Sequence, residues 1–366
     1  MEQIYSSKEM CSGCKACMEI CPTKAIFMYK DEEGFEYPQI DKEKCINCGK
    51  CKRLCSFKRE NIEHTKLPLA IIGAKIKDEN ERITSRSGGL FIALANYILT
   101  QNGVVYGCKL GQDLEVYHAR ATTKQEIDEF KGSKYVKSNL KEIYSEIKQD
   151  LKEGKMVLFS GTSCEVAGLK VVLKEIDTSK LYLCDIICHG VPSPLIYEEY
   201  IKFIENKEKQ KVKNIDFRDK SFGWSTHKET LTFENGKKIS VNYFTELFYS
   251  HHILRPSCFN CQFCNMDRVS DITMGDFWGI EKENKDFHDD MGTSLVLVNT
   301  VKGHQLIEYI MKDIHWISVY SKHYMQHNLQ YPSIKPENRN EFWEDYKQNE
   351  FEYIMEKYAG FKGDEN

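Results

Sequence analysis

No stretch of this 366-residue chain is apolar for long enough to cross a membrane. The longest, Gly88 to Leu99, falls well short of the ~20 residues that a bilayer demands. The opening Met1-Glu2-Gln3-Ile4-Tyr5 lacks the basic start and apolar run of a secretory leader, so a cytoplasmic location is expected. An excess of positive charge is also missing. There are 51 Lys and Arg against 55 Asp and Glu, a formal net charge of −4, which gives no basis for neutralising a nucleic-acid backbone. The most basic stretch, Lys207 to Lys213, is short, contains Glu208 and reads as a solvated helix end. With 41% hydrophobic and 29% charged residues, the rest is ordinary for a globular chain of two or three domains. What is abundant is cysteine: 15 residues. In a cytosolic chain of this size, that points to metal rather than disulfides.

Eight of the cysteines fall into a repeated pattern. Cys11, Cys14, Cys17 and Cys21 are spaced C-x2-C-x2-C-x3-C, followed by Pro22. Cys45, Cys48, Cys51 and Cys55 repeat the spacing, with Ser56 in place of the proline. This is the two-cluster bacterial ferredoxin pattern, in which the fourth cysteine of each run ligates the other cluster. One 4Fe-4S cluster is therefore assigned to Cys11, Cys14, Cys17 and Cys55, and the other to Cys45, Cys48, Cys51 and Cys21. The spacing suggests that each fourth cysteine opens a helix leading away. Gly13 and Gly49 lie in or beside the loops, where the backbone nears the sulfides. Strand-like segments at Ile26-Phe27-Met28 and Tyr37 to Ile40 fit a small βαβ-type module. A pair of zinc sites is the competing reading.

Beyond a linker at residues 61–68, the pattern changes. Leu69 to Ala74 and Gly103 to Gly107 read as strands, and Gly88 to Thr100 and Leu140 to Leu151 as helices. Met156 to Ser160, a loop Gly161-Thr162-Ser163-Cys164, a helix Glu165 to Glu175 capped by Thr162 or Ser163, and a strand Leu181 to Ile187 make a βαβ unit. The expected fold class is a multidomain α/β (α+β) protein. Residues 1–60 form the ferredoxin module, 69–332 a mixed-sheet domain and 333–366 a helical tail. Phe217 to Trp224 is expected to begin a hairpin returning through Leu231 and Phe233. Cys164 and Cys188 follow the carboxyl ends of neighbouring parallel strands and so share a rim where ligand crevices form. Cys258, Cys261 and Cys264 need a fourth ligand, which Cys164 or Cys188 would supply. A structural zinc knuckle is the alternative.

These stretches together resemble the beta-subunit family of coenzyme F-420 (deazaflavin) hydrogenases and dehydrogenases, in the bacterial form with a fused ferredoxin. The resemblance rests on Ser85-Arg86-Ser87-Gly88-Gly89, Lys131 to Val136, Gly161 to Cys164, Cys188-His189-Gly190-Val191-Pro192-Ser193-Pro194, Arg255 to Cys261 and Asp271 to Gly279. Ser163 stands where the family has proline. The resemblance implies a flavin, usually FAD, beside an inner 4Fe-4S cluster on Cys164, Cys188, Cys258 and Cys261. Cys264 is an addition to that pattern, and it or Cys184 is an alternative ligand. Flavin contacts are expected from Ser87, Gly88 and Gly89 at a helix N-terminus, from Gly132, Ser133, Lys134 and Tyr135, and from Gly161 and Thr162 at the sheet rim.

The implied activity is a flavin-dependent iron–sulfur oxidoreductase. Single electrons pass from the ferredoxin clusters through the inner cluster to a flavin that exchanges hydride with a small-molecule or sugar-linked substrate. The expected partner is a redox protein such as a ferredoxin, or a reductase or hydrogenase subunit. The alternatives are a non-catalytic electron-transfer subunit and a cluster-bearing sensor.

Overall fold

The computed structural model describes residues 4–362. At the N-terminal end, Ile26–Lys30 (β1) and Glu36–Ile40 (β2) pair antiparallel, with Ile26 opposite Ile40. The Asp31 carboxylate closes the turn by accepting from the amides of Glu33 and Phe35. A connection this short permits only an antiparallel pair, so the small sheet is a hairpin and not a βαβ crossover. One-turn helices flank it at Ala16–Glu19 and Lys50–Arg53. Each lies before the fourth cysteine of its motif. Cys21 and Cys55 therefore follow helices rather than open them.

The main body contains Ala70–Ile76 (β3), Val104–Leu110 (β4), Val116–Ala121 (β5), Val157–Thr162 (β6), Leu181–Ile186 (β7), Val212–Asp216 (β8), Glu229–Phe233 (β9), Lys238–Val241 (β10), Ile272–Asp276 (β11), Ser294–Val298 (β12) and Ile314–Ser318 (β13). Eight of these form one mixed sheet in the order β13-β3-β12-β11-β7-β6-β4-β5. Its centre, β4-β6-β7-β11, is parallel, and the flanking pairings are antiparallel. Val104, Tyr106, Val157, Phe159, Leu181 and Leu183 pack on one face. Val105, Leu158, Tyr182 and Cys184 pack on the other. Both faces are covered, which is why Val104 to Tyr106, Val157 to Phe159 and Leu181 to Cys184 read as continuous apolar runs.

The remaining strands form a smaller antiparallel sheet, β10-β9-β8. Its hairpin partner for β9 is β8, with Ile215 opposite Leu231, so Phe217 to Trp224 follows the first strand instead of beginning it. A 3-10 turn at Lys220–Phe222 breaks that segment, set by the Asp219 carboxylate accepting from the Ser221 amide. The terminal helices Arg339–Gln348 and Phe351–Ala359 bury Phe342, Trp343, Ile354 and Met355 in the core beneath this sheet, beside Tyr200 and Phe244.

Residues 62–68 form no helix or strand, yet they are fastened. Ile62 is buried, and the Thr65 amide donates to the Arg268 carbonyl at 2.9 Å. The ferredoxin module packs on the main body through Ala16 and Phe57, joined by Ile62 of the following segment, and all three share a core with Ile143, Ile147 and Leu169.

Candidate functional site

The two cysteine loops of the module have matching backbones. Gly13 and Asn47 occupy equivalent positions, as do Lys15 and Gly49, and all four have positive φ, between 53° and 69°. That left-handed geometry turns the loop amides inward around the thiols, and glycine or asparagine adopts it at least cost. Thiols of the two motifs lie beside one another. Burial pushes Cys17 up, and so do neighbouring Cys14, Cys11, Cys55 and Cys51. Cys55 is raised by burial and by Cys14 and Cys11. Cys51 is raised by burial and by Cys21 and Cys48. Ser56, at the position where the first motif has proline, is buried, with its hydroxyl 3.0 Å from the Cys14 sulfur.

The two groups differ in setting. The Cys11 group faces the main body. An added Cβ on Gly168, in the helix Ser163–Val172, would lie 3.2 Å from the Cys14 sulfur. Cys48 is exposed, and Ile46 beside it is 64% exposed. The Cys45–Cys51 loop is the outer end of the module.

A second thiol group lies behind the first. Cys164, Cys188, Cys258, Cys261 and Cys264 line one small cavity. Cys164 sits in the first turn of the helix after β6. That turn is fixed by a capping box between Thr162 and Glu165. Cys188 follows β7, whose register places Ile186 opposite Thr162. Parallel pairing thus brings two residues 24 positions apart to the same rim. Cys258 comes from the 3-10 turn Pro256–Asn260, and the Val191 amide points at its sulfur at 3.4 Å. Burial pushes the Cys164 thiol up to about 12 and Cys258 to about 11. Cys264 bonds to the Cys261 sulfur, lowering Cys261 and raising itself. Such desolvated thiols become good ligands once a metal replaces their protons. Cys184 is fully buried on the far side of β7, within the sheet core, and does not reach this cavity. Among the described residues, no three His, Cys, Asp or Glu side chains converge as they would on a single ion.

A larger cavity of about 650 Å³ opens over the carboxyl ends of β4, β6, β7 and β11. Of the nine residues expected at a flavin, Ser87, Gly89, Gly132, Ser133, Lys134, Tyr135, Gly161 and Thr162 line it. Gly88 does not. Its backbone is pressed against the sheet, where a Cβ would come within 2.2 Å of the Ala74 oxygen, and its amide donates to the Ser294 hydroxyl. Lys220 holds this loop by donating to the carbonyls of Arg82, Ser85 and Ser87.

Sequence reading alone missed several wall residues: Arg86, His118, Arg218, His227, Tyr249 and Trp278. They come from separate elements; Arg86, Arg218 and Trp278 lie inside motifs or segments distinguished by the sequence, but none of those segments pointed to a shared cavity. Arg218 pairs with Asp276 at 2.7 Å. His118 bonds to Ser138 and to the Ser160 carbonyl, and burial holds its pKa down. Burial also pushes the Lys134 ammonium down to about 8. Glu165 resists burial because Lys137 pairs with it, which holds its carboxyl at about 2.

The walls suit a flavin nucleotide. The Ser85 hydroxyl is buried without a hydrogen-bond partner, and Arg86 Nε has only the Asp276 carboxylate, 3.8 Å away. Orphaned groups of this kind are costly unless a ligand meets them. Gly132 has φ +77° and no atom within 4 Å of an added Cβ, leaving its backbone open for close approach. The volume is in the range that encloses cofactor-sized ligands. For the thiol groups, the donor set itself is the fit: soft sulfurs gathered in groups of four or more suit iron–sulfur clusters.

These features define an iron–sulfur electron-transfer protein with an α/β body. Residues 154–318 match the family described as the C terminus of the coenzyme F-420 hydrogenase/dehydrogenase beta subunit, and residues 10–58 match the 4Fe-4S dicluster domain. The chain thus carries the C-terminal region of that beta-subunit family behind a dicluster ferredoxin domain. The module is similar to an uncharacterized ferredoxin of Methanocaldococcus jannaschii, 33% identical over 79 residues, which cover 22% of this chain and 92% of that protein. It is also similar to an uncharacterized polyferredoxin-like protein of the same organism, 38% identical over 56 residues, covering 13% of this chain and 33% of that one. Among solved structures, a chain of the F-420-reducing nickel–iron hydrogenase complex from Methanosarcina barkeri matches with a TM-score of 0.49 and 19% identity, over 69% of this chain and 82% of that chain. No helix among the described residues is long and apolar enough to cross a membrane.

Proposed function

We propose that the chain is a flavin- and iron–sulfur-dependent oxidoreductase with two ferredoxin-type clusters, an inner cluster and a flavin in sequence. The observation that carries this reading is a shared wall. Thr162, Cys188, His189, Gly190, Val191 and Asn328 line both the five-thiol cavity and the 650 Å³ cavity. Groups held in the two cavities are therefore neighbours.

When bound, the clusters supply single electrons, and the flavin supplies conversion between single electrons and hydride. The residues of the chain supply the rest. Cys164, Cys188, Cys258 and Cys261 hold the inner cluster, with Cys264 donating to the Cys261 sulfur. Arg86, Lys134 and the open Gly132 loop hold the anionic part of the flavin. The aromatic side chains of Tyr135, Tyr249 and Trp278 exclude water from the same cavity. The Lys137–Glu165 pair fixes the turn that carries Cys164, because Glu165 also accepts from the Thr162 amide. The substrate is a two-electron carrier or small molecule reaching the open side of this cavity. A deazaflavin is the first candidate on family grounds.

The test is cofactor analysis of anaerobically purified protein. About twelve irons per chain and one releasable flavin are expected. About eight irons would remove the inner cluster. No flavin after reconstitution with FAD or FMN would leave a non-catalytic electron-transfer subunit.

A further inference from the structure

The outer end of the ferredoxin module is charged unlike the rest of the chain. Residues 41–55 contain Lys42, Lys44, Lys50, Lys52 and Arg53 against Asp41 and Glu43, a net +3 within a chain of net −4. The remainder therefore carries −7. Lys42, Lys44, Lys52 and Arg53 are all exposed. They flank the loop that holds Cys45, Cys48 and Cys51. Arg53 donates to the Cys48 carbonyl at 2.8 Å, so its guanidinium lies directly on that loop. Beside these cations stand three uncharged surface residues, Ile46, Asn47 and Cys48. The equivalent loop of the first motif differs. Its Lys15 is turned inward, with its ammonium on Glu36 and the Asn139 side chain.

We infer that this face is the docking surface for an acidic one-electron carrier protein of ferredoxin or flavodoxin type. The inference rests on the proposed function above and adds the location and chemistry of the partner site. Two facts on the surface support it. The charge has the sign that attracts an acidic protein, and the field of several like charges steers association before contact. Beside the cations lies a small uncharged patch of Ile46, Asn47 and Cys48, which includes a thiol of the outermost cysteine group and suits the small interface of a transient redox encounter. In the docked pair one electron leaves the carrier, oxidising it by one, and enters the outer cluster, reducing it by one. No proton or bond is exchanged, and the reverse transfer uses the same contact.

The experiment uses full-length, cluster-loaded protein and a purified acidic two-cluster ferredoxin. Binding is measured by calorimetry and electron transfer by stopped flow, both across a range of ionic strength. Wild type should bind and transfer faster at low salt. The variant K42E/K44E/K52E should lose about tenfold or more in both at low salt, with the salt dependence flattened or reversed. A control, K209E/K213E/K238E, makes the same net-charge change on other exposed elements and should behave as wild type. Iron content and reduction by a small viologen dye should be unchanged in both variants. Equal loss in both variants would overturn the site, because net charge alone would explain it. A salt-independent wild-type rate would also overturn it, as would retention on anionic vesicles or duplex DNA in preference to the ferredoxin. Lack of iron or of dye reduction in wild type would instead sink the proposed function itself.

Discussion

The Arg255 guanidinium donates through Nε to the carbonyl oxygen of Cys11 at 2.8 Å. The Arg255 main-chain oxygen accepts from the Cys258 amide, also at 2.8 Å. One residue thus joins the inward cysteine group of the module to the thiol cavity behind it. It is 1% exposed, also donates to the Glu36 carbonyl at 3.0 Å, and lies 4.2 Å from the Tyr37 ring centre. A cation this deeply buried is retained only where carbonyls and ring faces replace its water.

Arg255→Ala should cost about 2–4 kcal/mol, because it removes two charge-assisted hydrogen bonds and leaves two carbonyls unmet. The loss should appear as a lowered thermal midpoint and faster proteolysis within residues 61–68. Unchanged proteolysis would show that other contacts, such as Arg339 with Glu33, hold the module in place alone.

Gly168 has no room for a side chain. An added Cβ would meet the Tyr144 hydroxyl at 2.7 Å and the Cys14 sulfur at 3.2 Å. Gly168→Val should therefore disturb the inward cluster of the module while the main body still folds. Iron content should fall by about a third if each cluster holds four irons. Flavin binding should survive. Full iron retention would mean that the module can shift away at little cost.

Cys164→Ser and Cys188→Ser should each remove the inner cluster, again about one third of the iron, and spare the dicluster signals in paramagnetic resonance. Cys264→Ser should keep the full iron content. An intact inner cluster in either of the first two variants would transfer a ligand role to Cys264, the fifth thiol of the cavity.

Lys134 sets a pH dependence. Burial holds its folded pKa at about 8, below the ordinary 10.5. Between those values the unfolded chain holds more protons, so this residue's contribution to stability rises with pH across about 8 to 10.5 and is level below 8. Flavin affinity should move the opposite way. The ammonium loses its charge as pH rises through 8, so a phosphate-bearing flavin should bind more weakly at pH 9 than at pH 7. Lys134→Met should bind more weakly at pH 7 and lose that difference. Equal affinity for the wild type at both values would remove Lys134 from the phosphate site.

The sequence by itself was enough for the ferredoxin motifs, because a cubane's reach is met by cysteines three and four residues apart and spacing is a local property. The βαβ unit was legible for a similar reason. Val157 to Phe159 and Leu181 to Cys184 are apolar runs, and a capped helix between them is the usual crossover to a parallel return. Cys164 and Cys188 could be placed on one rim from that unit alone. The tertiary structure decided what depends on distant packing. Gly88 looked like a ligand contact, but the close approach of Ala74 and Ser294 turns it into the sheet. Cys184 and Cys188 are four residues apart, yet the pleat buries one in the core and the end of the strand frees the other. Arg86, Arg218 and Trp278 meet at one cavity only because β11 pairs beside β7 and the loop after β8 folds across the rim. Which cysteine group faces inward was likewise set by the seating of Cys14 against Gly168. The two motifs have equivalent spacing, so nothing in that spacing distinguishes the buried cluster from the exposed one. Contact with the main body does.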